Sequence, residues 1–355
     1  KMKEKFKDII IEHTKKYPQM QISDLVKLVF QSEFGGGHMI ANPSDSLSRL
    51  YKEYEGLPET KLPVLYDKIG NGLVRLHLPG IDAHVSLETV NRFFVNTAAQ
   101  VNRDTACFEE KLEKLRELCA QGAVPFSKEA LDAYLGPYRQ QGYPAVHHSA
   151  VYKKYYHPAY RVISEDYIRY MPVFEMIDRK IRYSDKKTVI AAIDGRCGSG
   201  KSYLSRLLAN VYQCSVIHMD DFFLRPEQKT EERLLEVGGN IDYERFKEEV
   251  LAPITQAREV FEYQRYDCGQ QRLTGSVRVC SRQLIIIEGS YSCHPYFRDS
   301  YDLRIFLDLD AETQKERILE RNGAYMLSRF IGEWIPKENA YFEKFNVKEN
   351  CQLVL

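Results

Sequence analysis

The chain has 355 residues, 50 basic against 50 acidic side chains, and a 44% hydrophobic content. That length allows two or three domains of roughly 100–200 residues each, with a sizeable core. The even charge argues against nucleic acid or an anionic membrane as the main partner, and no apolar run approaches the roughly 18 residues of a membrane span.

The eight cysteines form no C-x-x-C pair and no Cys/His cluster with zinc spacing. They read as reduced thiols, and with no secretory signal pattern the expectation is a cytoplasmic protein.

In chain order, residues 2 to 17 predict an amphipathic helix ended by Pro18. Ser23 is the expected N-cap of a second helix, which runs into Gly35-Gly36-Gly37-His38. Ser44 or Asp45 is the expected cap of a third, reaching Glu55. Residues 70–78 alternate after a turn signal and read as a hairpin or edge strand. Further helices are expected over 86–101, 105–120 and 127–140. The glycine run before His38 has two readings, an anion site or the commoner glycine-rich helix stop. Residues 2–140 thus form a mainly helical domain whose sequence carries no chemistry by itself.

Residues 141–183 contain Pro144, Pro158 and Pro172 among many tyrosines and histidines. They read as a packed, aromatic-rich connection, with a helix over 173–182. His147, His148 and His157 match no usual metal spacing.

The third region, 184–355, is organised by TVIAAIDGRCGSGKSYLSRLL, Thr188 to Leu208. Thr188 to Asp194 is a short, β-branched apolar run suited to an inner parallel strand. Gly195, Arg196, Cys197, Gly198, Ser199, Gly200, Lys201 and Ser202 fit G-x-x-x-x-G-K-[ST], and helical spacing follows. Glycines let such a loop bring its N–H groups close to a polyphosphate, and the helix N-terminus adds its positive end. Lys201 would reach the outer phosphates and Ser202 would ligate Mg²⁺.

A second strand, 215–219, ends in Asp220-Asp221, and a third, 283–287, ends in Glu288. Carboxylates at the ends of parallel strands sit where α/β sheets bind ligands. Side chains alternate along a strand, so one of the two aspartates faces the nucleotide. A turn at 238–243 precedes a helix over 244–251. Residues 263–272 line a pocket for a hydroxylated molecule or form a surface hairpin. A fourth strand spans 303–309. The helix 311–322 places Arg317 and Arg321 on one face, either as clamps on a transferring phosphoryl group or as surface partners of Glu316 and Glu320.

Residues 186–347 resemble the uridine kinase and phosphoribulokinase group of P-loop kinases. The resemblance rests on IDGRCGSGKS, HMDDFF, GGNIDYERF, YDC, IIIEGSY and YDLRIFLDLDAETQKERILERNG. It does not extend to the first half. It implies an α/β domain with a mainly parallel sheet, with ATP phosphates held by Gly195 to Ser202. Asp220 would be the base that accepts the acceptor's proton, and Ser202 and Glu288, with Asp220, would hold Mg²⁺. Asp242, Tyr266 and Arg272, together with Asp221, would contact the acceptor, and Arg317 and Arg321 would lie at the lid. Asp221 stands where the group usually has Ser or Thr, and the lid after Arg321 is short.

The expectation is a Mg·ATP-dependent kinase acting on a hydroxyl of a small metabolite. A nucleoside such as uridine is the nearest guess; a sugar, sugar acid or vitamin precursor is the alternative. The competing reading is a regulatory or scaffold NTPase whose first half binds a partner. The chain has no N-K-x-D guanine motif in its favour. Neither nucleic acid nor membrane is expected as a partner, and a homo-oligomer is left open.

Overall fold

A computed structural model describes residues 2–57, 64–81, 85–102 and 104–355. The chain divides into two compact units, one ending at Met171 and one from Pro172 to Leu355. The division thus falls inside the segment read from the sequence as a connection.

The first unit is mainly helical. Its longer helices are Met2–Lys16, Ile22–Phe34, Pro43–Glu55, Leu87–Gln100, Thr105–Ala120 and Lys128–Gln140. Two starts differ from expectation. Gln21, not Ser23, precedes the second helix, because the Asp24 carboxylate accepts the Gln21 N–H at 2.9 Å and closes the turn one residue earlier. Asn42 caps the third, accepting the Asp45 N–H at 2.9 Å with Pro43 in the first helical position.

Strands β1 (Tyr66–Gly70), β2 (Leu73–His77) and β3 (Tyr160–Ser164) form an antiparallel sheet in that order. The 70–78 segment therefore turns at Gly70 and supplies the second strand of a β1–β2 hairpin, which is a central strand and not an edge strand, with all five residues of β2 buried. Ile10, Leu25, Leu28, Val29, Phe108, Leu112 and Leu131 are fully buried in one cluster. Each such side chain stabilises by about 1.5–3 kcal/mol relative to exposure.

The second unit is an α/β layer structure. Its sheet contains β4 (Val189–Gly195), β5 (Ser215–His218), β8 (Leu284–Glu288), β9 (Leu303–Leu307) and β10 (Leu353–Val354). Every pairing is parallel, in the order β10-β9-β4-β8-β5. β4 and β8 are buried at every position. That burial is why their sequences run continuously apolar instead of alternating. A separate hairpin, β6 (Val260–Asp267) with β7 (Arg272–Cys280), stands outside the sheet. From β4 the chain goes to one side for β5 and β8 and to the other for β9. The carboxyl end of β4 therefore lies at the switch in strand order, where such sheets bind ligands.

Candidate active site: the phosphate loop and its rim

The loop after β4 curls because its glycines permit it. Gly195 has φ 138°, and a Cβ there would lie 2.2 Å from the Leu307 carbonyl oxygen. Only glycine lets β9 and the loop come this close. The helix Lys201–Tyr212 then begins directly from Gly200. The Lys201 ammonium turns back into the loop and donates to the Gly195 and Arg196 carbonyls at 2.6 and 3.1 Å.

The adjacent strands bring the carboxylates in. Glu288 pairs in register with Ile193 on one side and His218 on the other. Its carboxylate oxygens each accept from Ser202 Oγ at 3.2 Å. His218 Nδ1 lies 2.5 Å from Glu288 Oε1, and this bond raises the imidazole above its ordinary range. Gly289, also at φ 138°, allows the neighbouring chain in: a Cβ there would lie 2.9 Å from Met219 Cβ and 3.5 Å from Asp220 Oδ1.

The two aspartates after β5 are placed differently. Asp220 is exposed, with protein packed closely around its carboxyl. That crowding pushes its carboxyl above the usual range, Lys201 opposes the shift, and Glu288 adds to it. Asp221 is buried. Its carboxylate accepts the Tyr263 hydroxyl at 2.9 Å, and its backbone carbonyl accepts from Arg245 at 2.6 Å.

The residues expected to contact an acceptor do not all gather here. Asp242 is only 1% exposed. It caps the helical stretch from Tyr243 through the Arg245 N–H, and its Oδ2 accepts from Gln228 at 2.8 Å. Tyr266 is buried on β6. Arg272 is exposed at the hairpin tip, donating locally to Gln270 at 3.1 and 2.8 Å. The arginine that ties this side together is Arg245. It donates to the Gln264 carbonyl at 2.5 Å, where β6 is irregular, and lies 4.3 Å over the Phe222 ring. Its spacing three residues after Asp242 was the signal available in GGNIDYERF.

Helix Ala311–Arg329 covers the loop from the other side. Gln314 donates to the Cys197 carbonyl at 3.1 Å and Arg317 to the Gly198 carbonyl at 3.1 Å. Arg321 reaches Cys197 Sγ at 3.5 Å. This helix breaks at Gly323 (φ 79°, ψ 170°). The helix Ile335–Phe345 beyond returns to the loop: Glu338 accepts the Cys197 N–H at 3.1 Å and the Ser290 hydroxyl at 2.6 Å. Asn339 accepts from Arg196 at 2.6 Å.

Asp194 lies fully buried under the loop. It accepts from the Gly195 and Cys293 amides at 2.7 and 2.9 Å and from the Tyr341 hydroxyl at 2.9 Å. Burial nonetheless raises its carboxyl to about 6. Asp194, Arg245, Glu338, Asn339 and Tyr341 were not singled out from the sequence. Of these, Asp194 beside the glycine loop and Arg245 within GGNIDYERF stand in motifs that could have drawn attention to them.

No protein-family model and no curated protein matches the sequence. Among solved structures, a possible uridine kinase from Bacillus stearothermophilus is similar at 20% identity and TM-score 0.39, over 52% of this chain and 100% of that chain. A candidate fructose transport system kinase from Silicibacter sp. is similar at 22% identity and TM-score 0.40, over 49% of this chain and 92% of that one. An uncharacterized protein from Eubacterium ventriosum is similar at 13% identity and TM-score 0.28, over 47% and 87%. The parallel sheet, glycine loop and following helix of the second unit are those of a P-loop fold. No described helix is long and apolar enough to cross a membrane.

Proposed function

We propose that the second unit transfers the γ-phosphoryl group of ATP to a hydroxyl of a small metabolite. The observation that carries this reading is the convergence of Lys201, Ser202, Glu288 and Asp220 on one loop mouth at the carboxyl ends of β4, β5 and β8.

The loop N–H groups and the helix N-terminus bind the phosphates, and Lys201 adds positive charge to the outer ones. Ser202 and Glu288, with Asp220 at their side, offer the hard oxygen donors that Mg²⁺ prefers, and they fit that ion. When bound, Mg²⁺ neutralises phosphate charge. Asp220 takes the proton of the acceptor hydroxyl as its oxygen bonds to the γ-phosphorus and the bond to the ADP oxygen breaks. Its raised affinity for a proton suits a base. Arg317 and Arg321, on the face that covers the loop, stabilise charge on the transferring group. Asp221, held by Tyr263, shapes the acceptor side with Asp242 and Tyr266. A nucleoside such as uridine is the nearest acceptor class, with sugars, sugar acids and vitamin precursors as the others.

The test is ADP release with Mg·ATP across a panel of those four classes, run beside Asp220→Asn. One acceptor that raises turnover well above background, with loss in Asp220→Asn, is expected. A flat panel with tight ATP binding would move the assignment to a nucleotide-dependent switch.

A further inference from the structure

Arg75, on β2 of the first unit, heads the largest fully buried side chains among the described residues, at 1% exposure. A buried guanidinium normally satisfies its fork of donors. Here Nε donates to Gln31 Oε1 at 2.9 Å and the group lies 4.9 Å over the Tyr160 ring. Nη1 and Nη2 have no hydrogen-bond partner among the described residues.

The position of that free edge is fixed by a relay of hydrogen bonds. Asp24 Oδ1 holds His148 Nδ1 at 2.8 Å, and His148 Nε2 meets the Tyr160 hydroxyl at 2.6 Å. The Tyr160 hydroxyl oxygen also lies 3.2 Å from Gln31 Oε1, the oxygen that accepts from Arg75. His148 is thereby engaged at both ring nitrogens. Among the described residues no three His, Cys, Asp or Glu side chains gather for a metal.

Asp67 stands opposite Arg75 in the β1–β2 register, but neither Asp67 nor Asp24 accepts a hydrogen bond from its Nη atoms. Asp67 is taken by Lys16, Tyr17 and His77, and Asp24 by His148, Ser149 and the Gln21 N–H. Lys27, also buried, donates to the Val146 carbonyl at 2.7 Å and adds a second positive charge. Burial first, and the Arg75 charge after it, lower Lys27 to about 8 and His13 to about 4, with Asp24 and Asp67 opposing the shift at Lys27 and His13 respectively. His13 lines a groove of about 820 Å³ together with Lys16 and Asp67, and its Nδ1 is a further buried atom with no partner among the described residues.

An unpaired, buried, positively charged edge is strongly unfavourable unless something meets it. We infer that the Nη1–Nη2 edge of Arg75 is the binding site for a small oxyanion that presents two oxygens side by side, a carboxylate or a phosphoryl group. The planar fork matches that geometry with two parallel N–H···O bonds. Tyr160 and Gln31 are positioning residues that keep the fork in register.

The test uses the full chain carrying Lys201→Ala, which weakens the phosphate loop as a competing anion site; the Arg75 variant in the same background isolates the remainder. Unfolding temperature is followed against inorganic phosphate and against acetate, each referenced to sodium chloride of equal ionic strength. Saturable stabilisation by at least one probe is expected, the tetrahedral and planar arms separating the two chemistries. Arg75→Lys keeps the charge but not the fork, and should weaken that affinity at least about tenfold. Tyr160→Phe keeps the ring but cuts the relay, and should weaken it less. No saturable effect, or an equal effect in Arg75→Lys, overturns the inference. Should Arg75→Lys fail to fold, crystals of the Lys201→Ala chain soaked in selenate decide: anomalous density at the Arg75 edge supports the site, and water alone there overturns it.

Discussion

Ser202 Oγ sits 3.2 Å from both carboxylate oxygens of Glu288, joining the first turn of the phosphate-loop helix to the end of β8 across 86 residues of sequence. The contact couples a hydroxyl and a carboxylate that would share Mg²⁺. Glu288→Gln should therefore lower apparent Mg²⁺ affinity about 10–100-fold, the range seen when carboxylates at such sites are altered. Turnover titrated with Mg²⁺ measures it; an unchanged half-saturation would remove Glu288 from the metal site.

The aspartate pair should separate by phenotype. Asp220→Asn is expected to cut turnover about 10²–10⁴-fold while ATP binding persists, as for loss of a general base. Asp221→Ala leaves the Tyr263 hydroxyl unpaired in a buried site, and should cost about 1–3 kcal/mol of stability. Denaturant unfolding beside steady-state kinetics tests both. The reverse pattern would make Asp221 the base.

Gly195→Ala places a methyl group against the Leu307 carbonyl at a positive φ. It should destabilise the second unit by about 2–3 kcal/mol and abolish ATP binding. Wild-type ATP affinity in this variant would show that the loop tolerates the strain.

Asp194 supplies a pH signature. Unfolded, its carboxyl releases the proton near the ordinary 3.8; folded, it holds it until about 6. Between those values the folded state binds more protons, so this group's contribution to stability falls as pH rises from about 4 to 6. Above 6 the cost is complete, about 3 kcal/mol, because each tenfold change in proton affinity is worth about 1.4 kcal/mol. Unfolding free energies, wild type minus Asp194→Asn, should fall by about 2 kcal/mol between pH 4.5 and 7.5, about a third of the full cost being already present at pH 4.5. A pH-independent difference would mean that Asp194 is not perturbed by burial.

The parts of this site carried by local pattern were legible in the sequence. The glycine loop, the strand before it and the carboxylates closing β5 and β8 all follow from short apolar runs with polar ends. The helices of the first unit followed from their apolar spacing. Contacts made across the fold left no such trace. Glu338 and Tyr341 lie on a helix for which the sequence predicted no element, and it reaches the loop beyond the break at Gly323. β3 was hidden because Tyr160 to Ser164 lies among prolines and tyrosines that read as a connection. Arg75 stood in an alternating strand, where a charged residue ordinarily points to solvent. It is buried on a central strand whose neighbour β3 comes from a segment far along the chain.

The late-sequence supports of the phosphate loop bear on how the protein is made. Cys197 meets Glu338 across 141 residues, Arg196 meets Asn339 across 143, and Asp194 meets Tyr341 across 147. Contacts of such separation form slowly and demand that both ends be present. On the ribosome, β4 and its loop emerge well before the helix that fastens them. A nascent chain halted before Glu338 carries the whole glycine motif without its fastenings. Nucleotide capture would then wait until the chain has grown past Tyr341, long after the glycine motif itself has emerged.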